Sequence, residues 1–247
     1  MKNKGICNLS VIPLRKEARS ESEIVSQLLF GDTFTINAEA DNGWIEITTD
    51  FDQYTGFISN KQFAPYQGEF SNWLTTTSFP YSTLISDNGQ ILLPPGSSIP
   101  SNRFELGNQL YTLESALANY NIHDIELVAK QYLNCPYLWG GKTPFGIDCS
   151  GFTQMVFKQC GITLPRDAYQ QAVPGETISF IQEAQIGDLA FFDNEAGKIT
   201  HVGIMLGNQH IIHASGKVRI DEIDHHGILN IDDKQYSHKL RIIKRIN

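Results

Sequence analysis

Cys149, His201 and His213 are residue types that together can carry a thiol-based acyl transfer. Cys149 sits in Gly146-Ile147-Asp148-Cys149-Ser150-Gly151-Phe152, where a Pro- and Gly-rich loop (136–146) gives way to apolar residues at helical spacing. Phe152, Met155, Val156 and Gln159 keep that period until Gly161, a natural stop. The spacing predicts Cys149 in the first turn of a helix, where unpaired N–H groups and the macrodipole favour negative charge. A thiol so placed, with a cation to help, falls from a pKa of about 8.5 to roughly 3.5–7.5. Cys7, Cys135 and Cys160 read as small core residues.

A thiol nucleophile needs an imidazole to take its proton, and that imidazole needs a third group to fix its tautomer. His201 starts a strand in which His201, Gly203 and Met205 face one way and Val202, Ile204 and Leu206 the other. With Gly207-Asn208-Gln209 as a three-residue loop, Leu206 opposes His210 and Gly203 opposes His213. His201 and His213 then share a face as diagonal neighbours, whereas a two-residue loop would part them. The assignment is Cys149 as nucleophile, His201 as base and later acid, and His213 as orienter. The plainer alternative is a pair of strand histidines with ordinary hydrogen bonds.

Metal chemistry has less support. His210 and His213 alternate faces on a strand, and His225-His226 reads as a surface pair with no acidic or cysteine ligand clustered near it. No metal and no cofactor are expected, and His123 and His238 suggest no role.

The elements that must position these groups follow from patterning along 247 residues, a length that suggests two or three compact units. A net charge of −8 disfavours nucleic acid or an anionic membrane as the main partner. Four cysteines form no disulfide framework, and no segment has the run of about 20 apolar residues that a membrane helix needs. The N-terminal residues lack a signal-peptide pattern, so a cytoplasmic location is expected.

Residues 1–65 read as short strands and turns: Thr33-Phe34-Thr35-Ile36 alternates, and Asp41-Asn42-Gly43 is a hairpin turn before Trp44-Ile45-Glu46-Ile47. Pro13-Leu14-Arg15, residues 27–32, Trp44 and Tyr54-Thr55-Gly56-Phe57 resemble a bacterial SH3-like domain. Residues 66–118, with Asp87-Asn88-Gly89, are expected to form a second small β unit, a full or a degenerate barrel. In 119–247, Ile125, Val128, Ala129, Tyr132 and Leu133 mark one helix face, the Cys149 helix follows, and strands dominate after Pro165. Helices first and an antiparallel sheet afterwards is an α+β fold.

Several motifs in this last part, Asp148-Cys149-Ser150-Gly151-Phe152, residues 165–171, Gly187-Asp188-Leu189 and Thr200-His201-Val202-Gly203-Ile204 with His213 downstream, resemble the NlpC-type cell-wall peptidases. That resemblance implies a papain-like fold and cleavage of amide bonds at γ-linked D-glutamate. With the SH3-like part, it points to the γ-D-glutamyl-L-diamino acid endopeptidases. Their substrate is the murein peptide L-Ala-γ-D-Glu-diamino acid, cut to release L-Ala-D-Glu. It also implies the Tyr137 hydroxyl as an oxyanion donor beside the Cys149 N–H.

Asp148 and Asp167 are candidate anions for a substrate ammonium, with Ser150 a polar neighbour and Arg166 facing the D-Glu carboxylate. Trp139 is a candidate cleft wall, and the resemblance implies that the first barrel closes one end of the groove, with Tyr54 a contributor. Each has a plainer role. Asp148 can cap the helix as well as bind, Arg166-Asp167 can be a surface ion pair, Tyr137 and Trp139 can be packing residues, and Tyr54 can be core or rim. Two rival functions stand beside hydrolysis: an acyl or amide transferase on the same fold, and a murein-binding protein without catalysis.

Overall fold

The structure, a computed structural model, describes residues 4–68, 74–75, 79–115, 117 and 120–246. Two compact units emerge: Met1–Asn119 with Trp139–Pro144, and Tyr120–Leu138 with Phe145–Asn247.

In the first unit, β1 (Lys4–Ile6), β2 (Val11–Arg15), β3 (Ile24–Leu29), β4 (Thr33–Ala40), β5 (Trp44–Thr49), β6 (Thr55–Ser59) and β7 (Ala64–Tyr66) form one sheet in the order β3-β2-β6-β5-β4-β1-β7. Alternation explains it: Ile12 and Leu14 of β2 and Ile45 and Ile47 of β5 point inward and share a core with Leu28, Phe34 and Ile58. Asp41-Asn42-Gly43 makes the turn between β4 and β5, with Asn42 and Gly43 both at positive φ.

A second sheet holds β8 (Ser82–Ser86), β9 (Gly89–Leu93), β10 (Arg103–Leu106) and β11 (Gln109–Leu113), in the order β9-β8-β11-β10. Its inward residues Leu84, Leu93, Phe104 and Tyr111 form one cluster with Ile6 of β1 and Phe30 of the turn after β3. The second β segment therefore shares a core with the first. Bonds that join Trp139–Pro144 to this unit include the Trp139 indole N–H to Glu23 at 2.8 Å and the Lys142 backbone N–H to Gln27 at 2.7 Å.

The second unit begins with α1 (Ile125–Gln131), entered through a 3-10 turn that Asn121 and Asp124 cap reciprocally. Ile125, Val128, Ala129 and Tyr132 are buried as the spacing predicts. Leu133 is exposed instead, because the helix ends at Gln131 and the fifth residue of the expected face falls outside its periodicity.

All eleven residues of α2 (Cys149–Gln159) are buried, so this helix is a central post rather than a surface element. Burial of Phe152, Met155 and Val156 contributes about 1.5–3 kcal/mol each. Polar groups of α2 bond across the core: Gln159 donates to the Tyr132 hydroxyl at 2.9 Å, and Thr153 to Gln171 at 2.7 Å. Gln171, in the short helix α3 (Ala168–Gln171), reaches back to the carbonyls of Ser150 and Pro165 and so ties the 165–171 motif to the start of α2.

Seven antiparallel strands complete the unit: β12 (Glu176–Ile178), β13 (Leu189–Asp193), β14 (Ile199–Gly207), β15 (His210–Ser215), β16 (Lys217–Ile223), β17 (Gly227–Leu229) and β18 (Tyr236–Arg245). Their order is β12-β18-β13-β14-β15-β16-β17, and β17 pairs again with β18, which closes β13 to β18 into a ring. The fold is α+β, with α2 packed on β14 and β15. Among the described residues, no helix is long and apolar enough to cross a membrane.

Candidate active site

The hairpin β14–β15 sets the geometry of the site by a route the sequence did not reveal. Gly203 stands opposite His213, as the spacing predicts, but Gly207 rather than Leu206 stands opposite His210. The loop is only two residues, Asn208-Gln209, both at positive φ, the conformation of a tight hairpin turn. Alone, that loop would send the histidines to opposite faces. A bulge at Leu206 supplies the compensating residue, and the two shifts restore the parity.

His201 and His213 therefore meet: Nε2 of the first lies 2.9 Å from Nδ1 of the second. On the far side, His213 Nε2 lies 2.9 Å from Asp221 Oδ2. A carboxylate only accepts, so His213 Nε2 carries a proton. In a neutral His213 ring, Nδ1 is then the acceptor, and His201 Nε2–H donates to it. His201 is left with a bare Nδ1, the nitrogen able to take a proton.

Asp221 is held in turn by Arg219, whose Nε donates at 2.7 Å and Nη2 at 2.8 Å, and by the Ile231 N–H at 3.0 Å. Burial would raise this carboxyl, but the hydrogen bonds from His213, Arg219 and Ile231 outweigh it and hold it well below the usual carboxylate range.

Cys149 opens α2, with Asp148 as its N-cap: Oδ1 accepts the Gly151 N–H at 2.6 Å. The pairing of β14 with β15 runs only to Gly203, and the thiol meets the chain beyond it. Sγ lies 4.0 Å from the Thr200 carbonyl oxygen and also receives the Val202 N–H, so it touches the backbone on both sides of His201. Tyr137 arrives from the loop before α2. Its N–H bonds Gly216, its neighbours Pro136 and Leu138 bond Ile147, and its phenol lies in the field of Cys149 and Asp148. Burial first, then those two groups, push the phenol above its ordinary range, so it remains an O–H donor.

The electrostatics correct one expectation. The helix start was expected to acidify Cys149, but burial pushes the thiol up to about 12, and the Asp148 carboxylate acts in the same direction. Donation from the Val202 and Ser150 N–H groups and the charge of Arg166 oppose this only in part. His201 moves the other way, well below its ordinary value, through burial and then through His213 and His238. Each group resists charging alone. Both directions favour a thiol beside a neutral imidazole, with charge appearing on the two through one internal proton transfer.

Arg166 is not a surface residue. At 1% exposure it grips Asp148, with Nη1 to Oδ1 at 3.1 Å and Nη2 to Oδ2 at 2.6 Å, and also bonds the Ser150 hydroxyl at 2.9 Å. Its guanidinium is thus directed at these two groups, which makes it part of the frame beneath the thiol. Asp167 is half-buried and forms a capping box with Gln170 at the start of α3. Trp139 is 59% exposed, with its indole N–H on Glu23, and Tyr54 is half-buried against the core of the first sheet.

Sequence reasoning missed Asp221, whose signal was a buried acid two residues after Arg219, and His238, whose ring stacks on His201. It also overlooked Asp224 beside His225-His226. These three bring ligand-type atoms within 4.8 Å of one another at an exposed turn, but Asp224 already accepts the N–H groups of His226 and Gly227 and the Tyr236 hydroxyl.

Residues 134–236 match the NlpC/P60 family, and residues 14–63 match the bacterial dipeptidyl-peptidase SH3 domain. The chain carries an NlpC/P60 domain and a bacterial SH3 domain. A γ-D-glutamyl-L-lysine dipeptidyl-peptidase of Bacillus cereus is 33% identical over 54% of this chain, a stretch that spans 40% of that relative's length. Dipeptidyl-peptidase 6 of Lysinibacillus sphaericus is 26% identical, covering 85% of this chain and 88% of its own. A solved NlpC/P60 family protein from Bacillus cereus ATCC 10987 superposes with a TM-score of 0.80 at 21% identity, over 98% of this chain and 99% of that one, so the two share a fold.

Proposed function

We propose that this chain is a cysteine peptidase that hydrolyses the γ-D-Glu–diamino acid bond of murein peptides with a free N-terminal L-Ala, releasing L-Ala-D-Glu. The observation that carries the reading is the relay Asp221–His213–His201, with the Cys149 thiol set against the backbone on both sides of His201. The names of the relatives, γ-D-glutamyl-L-lysine dipeptidyl-peptidase and dipeptidyl-peptidase 6, supply the substrate class.

In the first step His201 Nδ1 takes the Sγ proton as sulfur attacks the scissile carbonyl. The Cys149 N–H, which has no acceptor within its own helix, and the Tyr137 hydroxyl receive the developing oxyanion. His201 then returns its proton to the departing amine, the C–N bond breaks, and a thioester remains. Water, deprotonated by the same imidazole, releases the acid and regenerates the thiol. Asp148 is the anion assigned to the substrate ammonium, shared with Arg166 and Ser150. Asp167, Trp139 and Tyr54 are further contacts to be tested through KM in Asp167→Asn, Trp139→Ala and Tyr54→Phe.

Incubation with L-Ala-γ-D-Glu-meso-diaminopimelate and with its L-lysine counterpart, followed by mass spectrometry, tests the proposal. Free L-Ala-D-Glu is expected, absent in Cys149→Ala and greatly reduced when the N-terminus is acetylated. Turnover that persists in Cys149→Ala removes the mechanism; equal cutting of the acetylated peptide removes the requirement for a free amine.

A further inference from the structure

One imidazole of the buried cluster has no part in the relay. His238, on the closing strand β18, lies flat against His201, with ring centroids 4.1 Å apart and planes 25° apart. It also meets His213 at 5.8 Å and Phe192 at 5.9 Å, both edge to face, while its Nδ1 lies 2.9 Å from the Ser237 hydroxyl. Phe192 stands opposite both His201 on β14 and Leu240 on β18, so one face of three neighbouring strands gathers the three rings.

A single hydrogen bond from His201 Nε2 to His213 fixes one nitrogen but lets the ring swing about that bond. A second ring laid on its face removes the swing. We propose that His238 is a positioning residue that holds the plane of the His201 imidazole and so aims its bare Nδ1 at the thiol. This rests on the cysteine peptidase reading above. The same stack has a chemical consequence: once His201 accepts the proton, the cation faces a neutral aromatic surface.

Neutrality of His238 follows from its surroundings. Burial and then His213 push it down to about 4, and the Asp221 carboxylate opposes them only in part. The ionisable groups facing it are His201 of β14, His213 of β15 and Asp221 of β16. Asp193 and Lys239, which stand opposite each other, occupy the alternate face of β13 and β18.

The test compares the parent, His238→Ala and His238→Phe by two readouts. The first is NMR of labelled imidazoles without substrate. In the parent and in His238→Phe, His201 should keep a single Nε2–H tautomer and stay neutral below the ordinary histidine range. In His238→Ala the tautomers should mix, and the titration should move toward the ordinary histidine value of about 6.5. The second readout is kinetic: His238→Ala should lose about 10–100-fold in kcat with KM little changed, and His238→Phe should recover most of it.

An unchanged His201 tautomer and titration in His238→Ala would overturn the proposal. So would a loss in folded His238→Phe as deep as in His238→Ala, and this arm still decides if the alanine variant does not fold. If the parent cuts no murein peptide yet the NMR shifts appear, the peptidase reading falls and the positioning role stands.

Discussion

Gly203 stands directly across from His213, and a Cβ on Gly203 would come to 2.9 Å from the His213 Cβ and 2.7 Å from Ile211 Cδ1. The His213 Cβ is held by the backbone of β15, so it cannot give way cheaply. Gly203→Ala should push His213 off His201 and lower kcat by about 10²-fold, with a stability loss of about 1–3 kcal/mol. Steady-state kinetics and urea unfolding check this; an unchanged kcat beside a lowered midpoint would mean that the ring does not depend on this gap.

The buried thiol makes a prediction about reactivity. With Cys149 protonated at rest, its alkylation by iodoacetamide should keep rising with pH through about pH 9. A rate that levels off below about pH 7 would reveal a standing thiolate–imidazolium pair and contradict the neutral resting state.

Asp221→Asn exchanges an acceptor for a group that can donate its N–H to His213 Nε2. The chain of tautomers then inverts, and His201 Nδ1 is protonated instead of bare. The expected loss in kcat is about 10²–10⁴-fold, with near-normal KM. Because both residues act through one relay, His213→Ala/Asp221→Asn should be little worse than His213→Ala alone. Additive losses would refute the linkage.

Acid should destabilise the fold in two stages. His201 and His238 are held neutral in the native state, so unfolding raises their affinity for protons, and stability falls as the pH drops below about 6.5. Asp221 has a depressed native pKa, so its contribution is complete above about pH 4 and is lost below that. Urea midpoints measured across pH 3–8 should decline throughout the acid side, and His238→Phe should flatten the upper part. A midpoint constant from about pH 7 to 5 would exclude the first stage.

Arg166 and Asp148 form a buried pair, with 1% and 6% of their side chains exposed. Removing one partner strands the other charge, so Arg166→Met should cost about 3–5 kcal/mol, seen as a large fall in Tm. Arg166→Met/Asp148→Asn should recover part of it, since Asn still caps the helix. No recovery in the double variant would point to packing rather than charge.

Much of this was legible in the chain. Gly161 and the run Phe152, Met155, Val156 mark α2 because helical period and turn chemistry are local properties. The β14–β15 pairing was legible only in its outcome, since a two-residue turn and a bulge cancel, and nothing in Leu206 announces the bulge. His238 lay beyond reach because it meets His201 only once β18 closes the ring, a contact set by topology rather than spacing. The acidity of Cys149 was misjudged for a related reason: a helix start favours the thiolate, but burial is decided by what packs over it, and that effect is larger.

The closed ring also limits how a peptide can be held. Strands β14 to β17 pair on both flanks except where β14 and β15 part beyond Gly203 and His213, so a ligand could add itself as another strand only along that short stretch beside Cys149. Elsewhere in the ring recognition must run through individual side chains, a mode that tolerates a main chain of irregular stereochemistry and branched linkage where ladder pairing would reject it.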